Sequence, residues 1–251
     1  MSTQPTDPSN NAAALLPVTV LSAVDEVVDR LLSSLALGAF VPGERLPPER
    51  ELARMLGVSR NTVREAFARL RSDEVIEVRR GRTGGAYVSQ SWQLASAGAV
   101  RRTLIPRRAE LEELGDLRCR YEEMVARTAA EVRTAKHVDE LWSLLTRFVE
   151  ARTPQEQHRT DMALHEGVLW ATGNVHMAAM SRDLLGRISL GLAIEPYDQK
   201  NYLQAVEEHS ALVAAIAECR IDDAGSIARE HFAMSTRTMR SVISDSFATL
   251  A

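Results

Sequence analysis

The sequence predicts a mainly α-helical protein in two parts. The smaller N-terminal part has three helices and a β-hairpin; the larger C-terminal part is helical throughout. Three observations carry this. Apolar residues recur at helical spacing over Val18–Leu37 and again over Glu49–Leu70. A pair of short β-rich runs follows, around Val75–Val78 and Ala86–Val88. From Ser89 onward no alternating strand pattern returns. The chain has 251 residues, 45% of them apolar, which suits two domains with packed cores.

Residues 1–17 are rich in Pro, Ser, Thr and Asn and are expected to form a disordered tail. Val18–Leu37 follows as the first helix, with Val20, Leu21, Val24, Val27, Val28, Leu31, Leu32 and Leu35 at helical spacing; Gly38, Pro42 and Gly43 close it. Glu49–Leu56 is the second helix, ended by Gly57, because glycine takes a left-handed cap conformation without steric penalty. Ser59 is the N-cap of the third. That helix buries Val63, Ala66, Phe67 and Leu70 and shows Arg60, Asn61, Thr62 and Arg64 on its other face. Two helices around a tight turn, the second with a donor-rich start, form a helix-turn-helix. Arginine pairs with guanine edges, asparagine with adenine, and hydroxyls with phosphates.

A plain helical hairpin can also carry Arg and Asn on its surface. The sequel decides between the two. Val75–Val78 leads into Arg79, Arg80, Gly81, Arg82, Thr83, Gly84 and Gly85, and then Ala86–Val88. Strand, basic glycine-rich turn and strand directly after such a helix make a wing, and the expectation is double-stranded DNA binding by a winged helix-turn-helix over residues 18–90. The charge pattern agrees. Net charge is −4, so the chain is no general polyanion binder, yet Ser59–Arg82 holds seven basic residues against four acidic ones.

Gly38, Pro42, Gly43, Leu46, Pro47, Glu49, Arg50, Leu52, Ala53, Leu56-Gly57-Val58-Ser59-Arg60, Val63-Arg64-Glu65-Ala66 and Leu70 together resemble the winged-helix signature of GntR-family bacterial transcription regulators. The resemblance covers about residues 21 to 90. It implies that Arg50, Ser59, Arg60, Asn61, Thr62, Arg64, Arg80 and Gly81 sit at DNA-contacting positions. Two residues depart from the family pattern. Glu74 stands where glycine is usual, which predicts a differently built turn before the wing, and Pro48 stands where a serine cap is frequent.

Residues 91–251 read as an all-α bundle of six or seven helices: Trp92–Ile105, Arg108–Thr134, Val138–Ala151, Gln157–Ala171, Met177–Leu192, Tyr202–Cys219 and Asp222–Phe247. Six histidines occur, all after residue 136. Asp161 and His165 are four apart and share a helix face, and His209 and His231 lie on the last two helices. One carboxylate and three imidazoles can bind an ion such as Zn or Ni, though by spacing alone a histidine on a helix is more often a surface or satisfied core residue. Here too the sequence resembles a family. RTDMALHEGVLWATGN, EEHSALVAAI and AREHF are similar to the FCD effector domain that follows the winged domain in FadR-type GntR proteins.

That resemblance implies one divalent transition metal per chain, held by Asp161, His165, His209 and His231, and Arg118 reaching into a cavity for a small organic acid. It also implies a homodimer on an inverted-repeat operator, with repression as the default. Tyr121 and Leu164 replace residues usual in the family and are expected to reshape the pocket. His137, His158 and His176 are assigned to the surface.

The alternative class is a metal-dependent enzyme with an appended DNA-binding domain. His165-Glu166 opens an HExxH zinc-protease motif, but position 169 is Leu. Cys119 and Cys219 are isolated, as expected of reduced thiols, and no apolar run is long enough to span a membrane. The expected location is the cytoplasm.

Overall fold

A computed structural model describes residues 22–81, 84–90, 96–192, 197 and 199–248. Helix α1 spans Ala23–Ala36. It starts later than the apolar pattern suggests because Ser22 is extended and accepts a hydrogen bond from the Asp25 amide, while the Asp25 carboxylate accepts one from the Ser22 amide. The expected tail and residues Val18–Leu21 lie outside the described residues. Helix α2 (Glu49–Leu56) ends on Gly57 at φ 68, and α3 (Arg60–Ser72) begins on Ser59, whose hydroxyl accepts from the Thr62 amide at 3.1 Å.

The wing is the antiparallel pair β1 (Ile76–Arg79) and β2 (Gly85–Val88), in register from Ile76 opposite Val88 to Arg79 opposite Gly85. Its outer edge is held by the segment after α1. Gly43 donates to the Val88 carbonyl, Val88 to Glu44, and Leu46 to Ala86, all at 2.8–2.9 Å. Leu31, Leu35, Leu52, Val63, Ala66, Leu70 and Ile76 close one core beneath the three helices and the hairpin.

The turn before the wing corrects the expectation drawn from Glu74. The turn accommodates glutamate by placing it in the left-handed region, at φ 57, with its amide donating to Arg71. Glycine takes that conformation freely, whereas an L side chain is strained there by about 1–2 kcal/mol.

Seven helices follow among the described residues: α4 (Ser96–Thr103), α5 (Arg108–Val132), α6 (Ala135–Val149), α7 (Pro154–Ala171), α8 (Val175–Ile188), α9 (Tyr202–Ala217) and α10 (Ile221–Ala248). The predicted start of the first of these at Trp92 lies outside the described residues. Capping sets the boundaries that periodicity alone left a few residues off. Thr134 and Thr153 are N-caps with capping boxes, and Asn174 caps α8. A core of Val125, Ala129, Leu141, Leu164, Val213, Ile216 and their neighbours fills the bundle.

The two parts are docked. A third apolar cluster joins Leu37, at the end of α1, to Val100 and Leu104 beside it and to Met239 and Ile243 on α10. The Arg102 guanidinium makes two 2.6 Å hydrogen bonds to the buried Asp29 carboxylate, fastening α4 to α1. No helix among the described residues is long and apolar enough to cross a membrane.

Candidate functional site

The start of α3 carries the donor-rich face. Arg50, Ser59, Arg60, Asn61 and Arg64 are exposed and Thr62 is half-buried. The Asn61 side-chain oxygen accepts from Arg64 Nη2 at 2.9 Å, and the Glu49 carboxylate lies 3.5 Å from Arg60 and 4.0 Å from Arg64. Glu49 thus holds both guanidiniums over a groove bounded by Pro48, Phe67, Val78 and Gly85, between α3 and the wing. In the wing, Arg79 stacks its guanidinium 4.2 Å from the Tyr87 ring centre and meets Glu77 at 3.4 Å. Arg80 and Gly81 are exposed at the tip, with Gly81 at φ 104. Arg82 and Thr83 lie outside the described residues.

In the bundle, α7, α9 and α10 bring Asp161, His165, His209 and His231 together. The three imidazoles each turn a ring nitrogen inward, so that these atoms lie within 4.8 Å of one another. His231 Nε2 is 3.1 Å from His209 Nε2 and 3.4 Å from His165 Nε2. Asp161 places one oxygen 3.4 Å from His165 Nε2 and the other 3.6 Å from His209 Nδ1. All but His165 are buried, and His165 is nearly so. Phe148 and Phe232 pack their rings about 5 Å from the cluster's imidazoles.

The electrostatics suit a cation. Burial pushes the His209 imidazole well below its ordinary pKa, against the pull of Asp161, so it stands neutral with one ring nitrogen able to offer a lone pair. Burial acts to raise the Asp161 carboxyl, but His165 and the other two imidazoles outweigh it and hold the group ionised. His209 Nδ1 is buried with no hydrogen-bond partner among the described residues. An unsatisfied buried nitrogen, imidazole nitrogens facing one another, and an ionised carboxylate form a donor set that a divalent ion would complete.

Sequence reasoning missed Glu208. Its Oε2 lies 2.7 Å from His231 Nδ1, which orients the ring with Nε2 toward the cluster. The residue neighbours His209 in sequence, yet it serves the histidine 23 positions away. Arg118, on α5, is buried, stacks 4.6 Å from the Phe232 ring centre and lies 3.8 Å from the Glu122 carboxylate. It borders a small cavity with Leu111, Gly115, Ser235, Thr236 and Met239. Glu122 in turn accepts a 2.5 Å bond from Ser181. Tyr121 and Leu164 are buried among the core helices, Tyr121 donating to the Met177 carbonyl at 3.0 Å.

The other histidines divide. His176 is exposed, and half-buried His137 caps α6 beside Trp170. His158, assigned to the surface from sequence, is instead fully buried, with Nδ1 2.9 Å from Glu44. Glu166 is ion-paired to Arg182 and exposed.

Comparison with known proteins is consistent with both halves. Residues 23–88 match "Bacterial regulatory proteins, gntR family" and residues 113–234 match the "FCD domain". The chain is 29% identical over 216 residues to the HTH-type transcriptional regulator RmpR of Mycobacterium gastri, covering 84% of this chain and 78% of that one. It is 28% identical over 236 residues to the galactonate operon transcriptional repressor of Escherichia coli K12, covering 88% and 99%. A solved GntR structure from Streptococcus agalactiae is 26% identical, with a TM-score of 0.43 and coverage of 85% of this chain and 99% of that one. The chain belongs to the GntR family, with a DNA-binding domain followed by an FCD effector domain in the FadR-type arrangement. It is a transcription regulator of that family.

Proposed function

We propose that this regulator is a homodimeric, cytoplasmic repressor whose operator affinity is set by a small organic acid bound beside a metal. In this reading residues 18–90 form the DNA-binding domain and residues 91–251 the effector-binding and dimerisation domain. Arg50, Ser59, Arg60, Asn61, Thr62, Arg64, Arg80 and Gly81 contact DNA. The recognition-helix arginines read base edges, while the Ser59 and Thr62 hydroxyls and the wing contact the backbone. One such domain spans a half-site, so two related by a twofold axis fit an inverted repeat.

Asp161, His165, His209 and His231 would hold one divalent transition ion, Zn or Ni in type, per chain. When bound, the ion supplies a Lewis-acidic centre that attracts a carboxylate. The protein does the rest. Phe148 and Phe232 keep the site apolar, Glu208 fixes the His231 tautomer, and Arg118 offers a guanidinium fork to an acid. The observation that carries the reading is the convergence of three imidazoles on one point, with a buried His209 nitrogen left unsatisfied. The galactonate repressor's name places a sugar acid among the first effectors to try.

The test starts with an operator selected from random duplexes by the protein itself. Operator affinity is then measured by fluorescence anisotropy with a panel of small carboxylates, galactonate included, on zinc-loaded and chelator-stripped protein. The expected result is a change of about 5–150-fold, the range of typical allosteric couplings, with at least one acid and only in the loaded form. No response to any acid, or the same response without metal, contradicts the proposal.

A further inference from the structure

Helix α7 has two parts with different jobs. At its middle it carries Asp161 and His165, and nearer its N-terminus it meets the segment after α1. Three residues before Asp161 it carries His158, so His158, Asp161 and His165 fall on one stripe at spacings of three, four and seven. At a rise of about 1.5 Å per residue, His158 lies only about 10 Å along the axis from His165.

The His158 end is not in contact with the bundle alone. Its Nδ1 meets the Glu44 carboxylate at 2.9 Å, and Glu44 also accepts the Val41 amide at 3.0 Å through the same oxygen. Gln155, one turn earlier, donates to the Pro42 carbonyl. Tyr197 packs its ring 5.3 Å from His158 and donates its amide to Gly38 at 3.2 Å. Gly38 can take no side chain here, since a Cβ would lie 2.0 Å from the Tyr197 carbonyl oxygen. The segment that α7 grips, Gly38–Leu46, is the one that hydrogen-bonds β2 of the wing through Gly43, Glu44 and Leu46.

We infer that His158 and Glu44 are positioning residues that carry the state of the metal and effector site to the wing. The inference rests on the metal reading above and adds the route. An ion that draws Asp161 and His165 toward His209 and His231 moves or stiffens α7 as a rod. The part-buried His158–Glu44 contact passes this to Gly43–Leu46, and the strand bonds to Ala86 and Val88 pass it to the wing. Coupling needs a physical element that both sites bias, and α7 carries two of the proposed ligands and meets the segment that hydrogen-bonds the wing. An ordinary docking contact would add stability without making the wing respond to the ion.

The test is amide hydrogen exchange on the full chain, with Zn2+ added to chelator-stripped protein and metal content measured alongside. In the parent, zinc slows exchange at Gly43, Leu46 and Val88 severalfold. Glu44→Ala takes up the same zinc, but these amides no longer respond; Glu44→Gln, which keeps an acceptor, retains the response. His158→Leu fills the buried space with an apolar group and is the second variant should Glu44→Ala fold poorly; it too binds zinc without the wing response. An unchanged response in Glu44→Ala or His158→Leu overturns the inference, as does a parent that binds zinc with no change at the wing. A parent that takes up no zinc overturns the metal reading and this one together, and the metal measurement tells that case apart.

Discussion

The Glu208 carboxylate meets His231 Nδ1 at 2.7 Å, leaving Nε2 of the same ring to face His209 and His165. This is how proteins commonly orient a ligating imidazole, with an outer carboxylate fixing the tautomer and raising basicity. Removing the partner should therefore weaken the site without removing a ligand. Glu208→Ala is expected to lower zinc affinity by about 10–100-fold in a competition titration. Affinity equal to the parent's would take Glu208 out of the site.

The Glu74 turn predicts the opposite sign for stability. Glu74 is exposed and sits at φ 57, so its side chain gains nothing that offsets the strain. Glu74→Gly relieves about 1–2 kcal/mol of left-handed strain against a glycine entropy penalty of about 0.5–1 kcal/mol. The expected net is about 0.5–1 kcal/mol of added stability, read as a higher denaturation midpoint. A lower midpoint would show that the glutamate makes a compensating interaction.

The metal-free chain should lose stability on mild acidification. Burial holds the His209 imidazole well below its ordinary value of 6.5, so the folded chain binds fewer protons than the unfolded one as pH falls from that value. Stability from the neutral ring is complete above the ordinary imidazole pKa and declines as pH falls toward the folded one. Asp161 acts in the same direction, but only below its ordinary carboxyl value of 3.8, outside this window. Urea unfolding of stripped protein between about pH 4 and 7 should show the decline, and His209→Leu should reduce it. The same slope in His209→Leu would assign the loss to other groups.

On the DNA face, Arg64 and Arg80 should separate by kind. Arg64→Ala is expected to lower specific affinity by about 1–3 kcal/mol, since a base-reading guanidinium is lost at an exposed position that leaves the core intact. Arg80→Ala should weaken all duplexes alike and reduce the salt slope by about one unit. Anisotropy titrations at matched salt decide both; an unchanged slope means that Arg80 makes no phosphate contact.

Much of the fold was legible because the features that encode it are local. Helical spacing, Gly57, the Ser59 cap and the glycine-rich basic turn each act within a few residues, and the elements they predicted are present. Cap side chains such as Thr134 and Thr153 shifted helix starts by a few positions. The four candidate ligands came from a family resemblance, since helical spacing alone could pair Asp161 with His165 but not bring in α9 and α10. What stayed hidden is non-local. His158 looks like any surface histidine until Glu44, 114 residues earlier, is placed beside it. Glu208 looks like one acid among several until α10 packs next to it. Glu74 was visible as an odd residue, but only backbone geometry shows that the turn keeps a glycine conformation.

The most direct measurement is the metal content of the chain purified without chelators, taken together for the parent and His209→Ala. The parent is expected to hold about one equivalent of a divalent transition ion per chain, because its buried donor set is complete only with a cation. His209→Ala should hold almost none and still bind operator DNA through its intact winged domain, but without any response to an acid effector. A metal-free parent that still refuses added zinc, or a His209→Ala protein that retains the full equivalent, would contradict the account.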